Sequence, residues 1–217
     1  MARADPMHFI ATNRRDWTAE SFYASGRAPV DEILAWTGPH LPRHRALEIG
    51  CGLGRAARHL CRHFERVDGI DISVTMIERA KTHGLPANLH LTAGSGRDLE
   101  PYEDDAFDLV YAYLVFQHVG RWETIESYLG EIARVLRPDG RAALQFDTRP
   151  ANGLIGLYKT LPDALLPPCH RRHLRRYRRR AALVRERLAA AGLSILKERG
   201  ARTARHFFLL QLKGVRP

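Results

Sequence analysis

Residues 45–55 read Arg-Ala-Leu-Glu-Ile-Gly-Cys-Gly-Leu-Gly-Arg, an apolar run that meets three glycines at alternate positions. The run suits a buried strand, and glycine permits positive φ and close backbone approach, so the segment predicts a strand, a tight turn and then a helix. The rest of the chain repeats that unit. Strands are expected at 46–49, 66–70, 88–92, 107–112 and 141–146, with helices at 55–63, 74–82 and 122–136 between them. Strict alternation of this kind predicts an α/β fold with a mainly parallel sheet, helices on both faces and ligands at the carboxyl ends of the strands.

A short leading helix at 29–36 stops at Thr37-Gly38-Pro39, and Arg137-Pro138-Asp139-Gly140 reads as a turn between helix and strand. A helix over 181–191 ends at Gly192, and two strands, 194–198 and 206–213, are close enough to form a hairpin, which makes the last one antiparallel. Residues 1–27 have no sustained period, but Phe9, Trp17, Phe22 and Tyr23 are too many aromatics for a plain tail, so this segment is expected to dock on the body.

At 217 residues and 45% hydrophobic content, one domain is expected. Residues 1–44 form its N-terminal helical cap region and 148–180 a substrate-side insertion. No apolar run approaches the roughly 20 residues needed to span a bilayer, and no signal peptide is apparent, so the expected compartment is the cytoplasm. Cys51, Cys61 and Cys169 form no CxxC pair and read as free thiols. The formal charge of +10 is carried mostly by arginine, much of it within Arg171–Arg180. That run admits a solvated face, an anchor for an acidic or phosphate-bearing substrate, or an RNA-binding patch.

The glycine loop excludes one ligand class. The dinucleotide fingerprint would need a third glycine at position 55, where this chain has Arg55. Glu48, two residues before the first glycine, would face the contents of the loop, repelling a pyrophosphate and attracting a cation. S-adenosylmethionine, with a sulfonium, an ammonium and no phosphate, meets that demand. Asp71 closes the next strand, at the spacing where an acid accepts hydrogen bonds from ribose hydroxyls. Ser73 reads as the cap of the following helix and Asp68 as a surface carboxylate.

With LEIGCGLGR, the acid in GIDIS, FDLVYAYLVFQHV and ARVLRPDGRAALQF in this order, residues 28–148 resemble the class I S-adenosylmethionine-dependent methyltransferases, of the small bacterial type 11 or 12 group. The resemblance implies a Rossmann-like fold with a seven-stranded sheet whose last strand is antiparallel. It also implies S-adenosylmethionine as cofactor, with S-adenosylhomocysteine as product. The loop from Glu48 through Gly50, Cys51, Gly52 and Gly54 would hold the methionine part and Asp71 the ribose, and either Ser95 or Asp98 the adenine amino group. Arg55, Ile72, Met76, Gly96, Arg97, Tyr113 and Leu114 complete the candidate cofactor set.

His118 follows the fourth strand, where a near-neutral pKa suits a general base, although packing or orienting the loop is the plainer role. Tyr23, Gln117, His118, Asp147, Arg149 and Tyr158 are the candidate substrate residues. Tyr113 and Leu114 stand where metal-assisted methylation would want carboxylates, so no metal is expected. The acceptor expected is a small molecule presenting an O, N or C nucleophile, an acidic one if the arginine run anchors it. The alternatives are an RNA or protein methyltransferase guided by residues 171–180, and a noncatalytic relative that binds the cofactor without turnover.

Overall fold

The computed structural model describes residues 17–150 and 176–214. Helices α1 (Ala19–Ala24) and α2 (Arg27–Thr37) precede β1 (Arg45–Ile49), α3 (Ala57–Leu60), β2 (Arg66–Asp71), α4 (Val74–Thr82) and β3 (Leu89–Ala93). Then follow β4 (Phe107–Ala112), α5 (Trp122–Val135), β5 (Leu136–Phe146), α6 (Ala181–Ala190), β6 (Leu193–Arg199) and β7 (His206–Leu212).

The seven strands form one sheet in the order β3-β2-β1-β4-β5-β7-β6. All are parallel except β7, which runs antiparallel to both β5 and β6, as the hairpin spacing predicts. The strand order turns back between β1 and β4, which opens a crevice at their carboxyl ends. Side-chain alternation along β1 sends Ala46 to the face covered by α2, α3 and α4, and Leu47 and Ile49 to the face covered by α5 and α6. Each face has its own buried cluster, one around Val30, Ile33, Leu60 and Ile77, the other around Leu129, Ile132 and Leu188.

Several local expectations change. Helix α1 lies in a stretch without sustained period: Thr18 and Ser21 cap one another reciprocally and Phe22 is fully buried, so aromatic docking and a capping box replace a long apolar stripe. Helix α3 is shorter than the expected 55–63, because after Leu60 the chain tightens into three-residue bonds, Arg62 N–H to His59 O and His63 N–H to Leu60 O. Residues 137–140 are not a separate turn: Leu136 pairs with Phe107 and Arg141 with Leu109, so they bulge out within β5.

Asp68 is the clearest correction. It is buried, not surface, and its carboxylate takes Arg45 Nε at 2.8 Å and Arg66 Nη2 at 3.0 Å. Two guanidinium partners are what make a buried carboxylate tolerable.

Candidate functional site

The loop between β1 and α3 turns on three glycines in the left-handed region, Gly50 at φ +69°, Gly52 at +53° and Gly54 at +75°. Gly50 and Cys51 N–H both donate to Ile70 O, at 2.7 and 3.2 Å, which fastens the loop to β2. Asp71, at the end of β2, accepts from Gly52 N–H and Ser73 N–H, both at 2.8 Å. One carboxylate therefore ties the glycine loop to the start of α4 while staying partly open to solvent. Ser73 caps α4 as expected, its hydroxyl accepting from Met76 N–H at 3.3 Å.

Glu48 is buried beneath the loop, and its Oε2 accepts from Ala57 N–H at 2.7 Å, so the carboxylate supports the start of α3. Burial pushes its pKa from the ordinary 4.5 up to about 8; Arg55 and the Ala57 N–H pull against that shift, and Asp71 adds to it. Arg55 Nη1 donates to Ser25 O at 3.1 Å, and its charge acts on Glu48. The loop thus offers carboxylates and backbone groups to a ligand.

Ile72 is 70% exposed, a large apolar side chain beside Asp71 at the carboxyl edge of the sheet. A Cβ on Gly96 would come 2.6 Å from Ile72 Cδ1, so the backbone after β3 passes close over it. A flat apolar group lying on Ile72 would cover what the protein leaves bare. Ser95 Oγ accepts from Arg97 and Asp98 N–H at 3.1 and 3.3 Å, while Arg97 is exposed and Asp98 half-buried. Met76 packs into the core, and burial drives the Cys51 thiol well above its usual range, so neither offers a reactive group.

The segment after β4 lies at the same carboxyl edge of the sheet as the glycine loop. Tyr113 stacks between Tyr111 and Phe207, with ring centroids 6.2 and 5.5 Å away. Leu114 adopts φ +63°, a costly conformation for a branched side chain, and its N–H donates to Gln145 Oε1 at 2.8 Å. Gln145, fully buried in β5, also donates to Ala204 O at 2.6 Å. It was not among the sequence candidates; the signal was an amide within the apolar run Ala-Ala-Leu-Gln-Phe. Gln117 is buried, His118 is exposed, and Gln117 Nε2 lies 3.1 Å from His118 Nε2.

Asp147 is fully buried at the end of β5 and pairs with Arg149, whose Nη2 is 2.6 Å from Oδ2. Each therefore neutralises the other. Tyr23 does not join this group: its ring packs against His83 and under Arg58. Tyr158 and residues 171–175 lie outside the described residues. Within the described part of the arginine run, Arg178 Nη1 donates to Pro150 O, and Arg179 Nη2 donates to Val119 O and Gly120 O, each at 2.7 Å. Backbone bonds from Tyr177 N–H to Gln117 O and from Arg179 N–H to Asp147 O join this segment to the ends of β4 and β5.

Among the described residues no His, Cys, Asp and Glu group could hold a metal ion, and no helix is long and apolar enough to cross a membrane.

Residues 47–144 match the methyltransferase domain family. The chain is 33% identical over 155 residues to a rice (Oryza sativa) 24-methylenesterol C-methyltransferase, covering 64% of this chain and 42% of that protein. It is 38% identical over 121 residues to the 27-O-demethylrifamycin SV methyltransferase of Amycolatopsis mediterranei, covering 53% and 43%. It thus spans less than half the length of these two curated relatives. In fold it is similar to the magnesium protoporphyrin IX methyltransferase of Synechocystis, solved with bound S-adenosylhomocysteine, at a TM-score of 0.66 and 20% identity over 98% of this chain and 96% of that one.

The residues present fit S-adenosylmethionine, because the left-handed loop, two carboxylates and a bare apolar platform supply groups for a phosphate-free cation with an aromatic base. Ile72→Ala is expected to leave the melting temperature of the free protein within the scatter of a surface substitution, about 0.5 kcal/mol. The same change should weaken cofactor binding by roughly 1 kcal/mol through lost apolar contact. Equal cofactor affinity by calorimetry would remove Ile72 from the site.

Proposed function

We propose that the chain, whose residues 47–144 match a methyltransferase domain, is a class I S-adenosylmethionine-dependent enzyme that transfers the cofactor's methyl group to an O, N or C nucleophile of a small molecule. The observation that carries this reading is the pair of carboxylates, Glu48 and Asp71, set around a left-handed glycine loop. When bound, the cofactor supplies a methyl group made electrophilic by a sulfonium. Glu48 would balance the cationic methionine end, Asp71 would accept from the ribose, and Ile72 would carry the adenine. Asp98 suits the adenine amino group better than Ser95, whose hydroxyl already serves two N–H donors.

Transfer from a sulfonium needs mainly alignment, and here the alignment is supplied by chain segments pinned on both sides of the mouth. His118 is the acceptor-side polar group, with the Asp147–Arg149 pair beyond it. The rice and Amycolatopsis relatives are named for small-molecule substrates, which favours such an acceptor. A nucleic-acid role finds less support, since Arg178 and Arg179 spend donors on backbone carbonyls.

The test is formation of S-adenosylhomocysteine when labelled S-adenosylmethionine is offered with a panel of small-molecule nucleophiles. Cofactor binding without product from any acceptor would reject the enzyme. Tight, steeply salt-dependent binding of tRNA would transfer the proposal to RNA. Asp71→Ala should weaken cofactor binding by about 1–2 kcal/mol, because it removes a charge-assisted acceptor and frees two N–H groups of the loop and α4. Unchanged affinity in calorimetry would contradict the assignment.

A further inference from the structure

One cation neutralises a buried carboxylate, and a second beside it is a surplus of charge. Asp68 has two. It is 3% exposed, and it accepts from Arg45 Nε at 2.8 Å and from Arg66 Nε and Nη2 at 3.1 and 3.0 Å. Each guanidinium carries five N–H groups, so Asp68 takes only part of what the two arginines can donate. The three side chains together hold one excess positive charge.

The surplus borders an open cavity of about 470 Å³, a volume suited to a small ligand. Leu47, the neighbour of Asp68 in register, points to the face covered by α5 and α6, but those helices pack against β5 and β6. Over β2 the same face is closed by the segment that holds Leu99 and Tyr102, and the cavity lies beside it at the edge strand β3. Arg45, Arg66 and Asp68 line it, Lys81 from the last turn of α4 adds a second positive charge, and Leu85 and Pro101 add apolar wall. Tyr102 is 6% exposed in the same lining. Its Oη has no partner within hydrogen-bonding distance, although Thr92 is near enough to oppose the rise that burial gives its pKa.

We propose that this cavity, which begins at the amino ends of β1 and β2 and not at the glycine loop, binds a small phosphate monoester with an apolar body. The charge selects the class. A phosphate monoester carries close to two negative charges at neutral pH, which matches the surplus left by Asp68, Arg45 and Arg66 together with Lys81, whereas a carboxylate would match half of it. The phosphate oxygens take the guanidinium donors that Asp68 leaves, in the forked geometry arginine offers, and the apolar body lies against Leu85 and Pro101. Asp68 is then a positioning residue, holding side by side two like charges that would otherwise part.

The experiment is a titration of the ¹⁵N-labelled protein with phenyl phosphate, followed by amide shifts, with benzoate and inorganic phosphate as comparisons. Phenyl phosphate should shift the amides of Asp68, His90, Thr92 and Tyr102 saturably, as one site, and should bind more tightly than either comparison ligand. Arg66→Gln should weaken it about tenfold, the scale of one charge-assisted partner, and Lys81→Gln roughly threefold, as suits an exposed charge. Arg205→Gln, which removes an exposed arginine between β6 and β7, should leave it unchanged. Shifts that do not saturate, or that fall equally with Arg205→Gln, would reduce the effect to the general attraction of a chain of charge +10 and overturn the proposal. So would benzoate binding as tightly, or shifts confined to the glycine loop. Should Arg66→Gln not fold, Lys81→Gln, on the exposed side of α4, decides. Both variants should bind S-adenosylhomocysteine like the parent in calorimetry, so failure here is separate from failure of the cofactor site.

Discussion

Gly50→Ala is expected to destabilise the fold by about 2–5 kcal/mol and to remove measurable cofactor binding. Two costs add. Any L side chain at φ +69° pays roughly 1–2 kcal/mol for the left-handed backbone. The new methyl would also stand closer to Val115 than the 3.0 Å that real Cβ atoms keep, and overpacking of that kind costs about 1–3 kcal/mol. Gly54→Ala is the internal control. Its φ is +75°, but the nearest atom to an added Cβ is Leu91 Cδ1 at 3.6 Å, an ordinary contact, so only the backbone cost applies. Thermal unfolding and calorimetry of the two variants should therefore separate them, and equal losses would show that Val115 gives way. Val115 belongs to the segment after β4, so the comparison reports how tightly the glycine loop packs against that segment at Gly50.

That contact also shows where the sequence stops being readable. The strand, the glycines and Asp71 could be placed by period and spacing alone, and so could the reversed last strand, because two short strands a few residues apart have little choice but to pair antiparallel. What Glu48 does could not be placed. Its expected position facing the loop follows from its distance to Gly50 along the chain, whereas the bond it makes, to Ala57 N–H, depends on how α3 returns over the sheet. Asp68 failed for the same reason: a carboxylate next to a loop reads as surface until the start of β1 brings Arg45 to it, beside Arg66 two residues back on its own strand. The arginine run shows the converse. Its density admits a solvated face, an anchor or an RNA patch, and in its described part Arg178 and Arg179 satisfy carbonyls of the segments that follow β5 and precede α5. Gln145 and Gln117 are buried amides in largely apolar stretches, and only the folded chain shows that they meet Leu114 N–H and the His118 ring.

Glu48→Gln should make the free protein more stable at pH 8.5 and poorer at holding its cofactor. The Glu48 carboxyl titrates near 8 in the fold against 4.5 ordinarily. Between those values the folded chain keeps a proton that the unfolded chain has released, so stability falls as pH rises, by at most about 1.4 kcal/mol per unit, and the loss is complete just above pH 8. A neutral amide still offers Ala57 N–H an acceptor and carries no such slope, so at pH 8.5 the variant should gain on the order of 5 kcal/mol over the parent, with the difference closing below pH 5. Cofactor binding should respond in the opposite sense. A cation above the loop favours the ionised carboxylate, so the parent should bind S-adenosylmethionine more tightly from pH 6 to pH 8.5 and release fewer bound protons as it does so at the upper end. In Glu48→Gln that pH dependence should vanish and affinity should drop about tenfold, or 1.4 kcal/mol, the usual scale for one charge-assisted partner. Parallel stability slopes in parent and variant would mean that Glu48 is already ionised in the free protein. Equal, pH-independent affinities would mean that it does not face the cation at all. The two measurements are linked through one proton: a carboxylate kept under strain in the free fold is the group that a cationic ligand relieves.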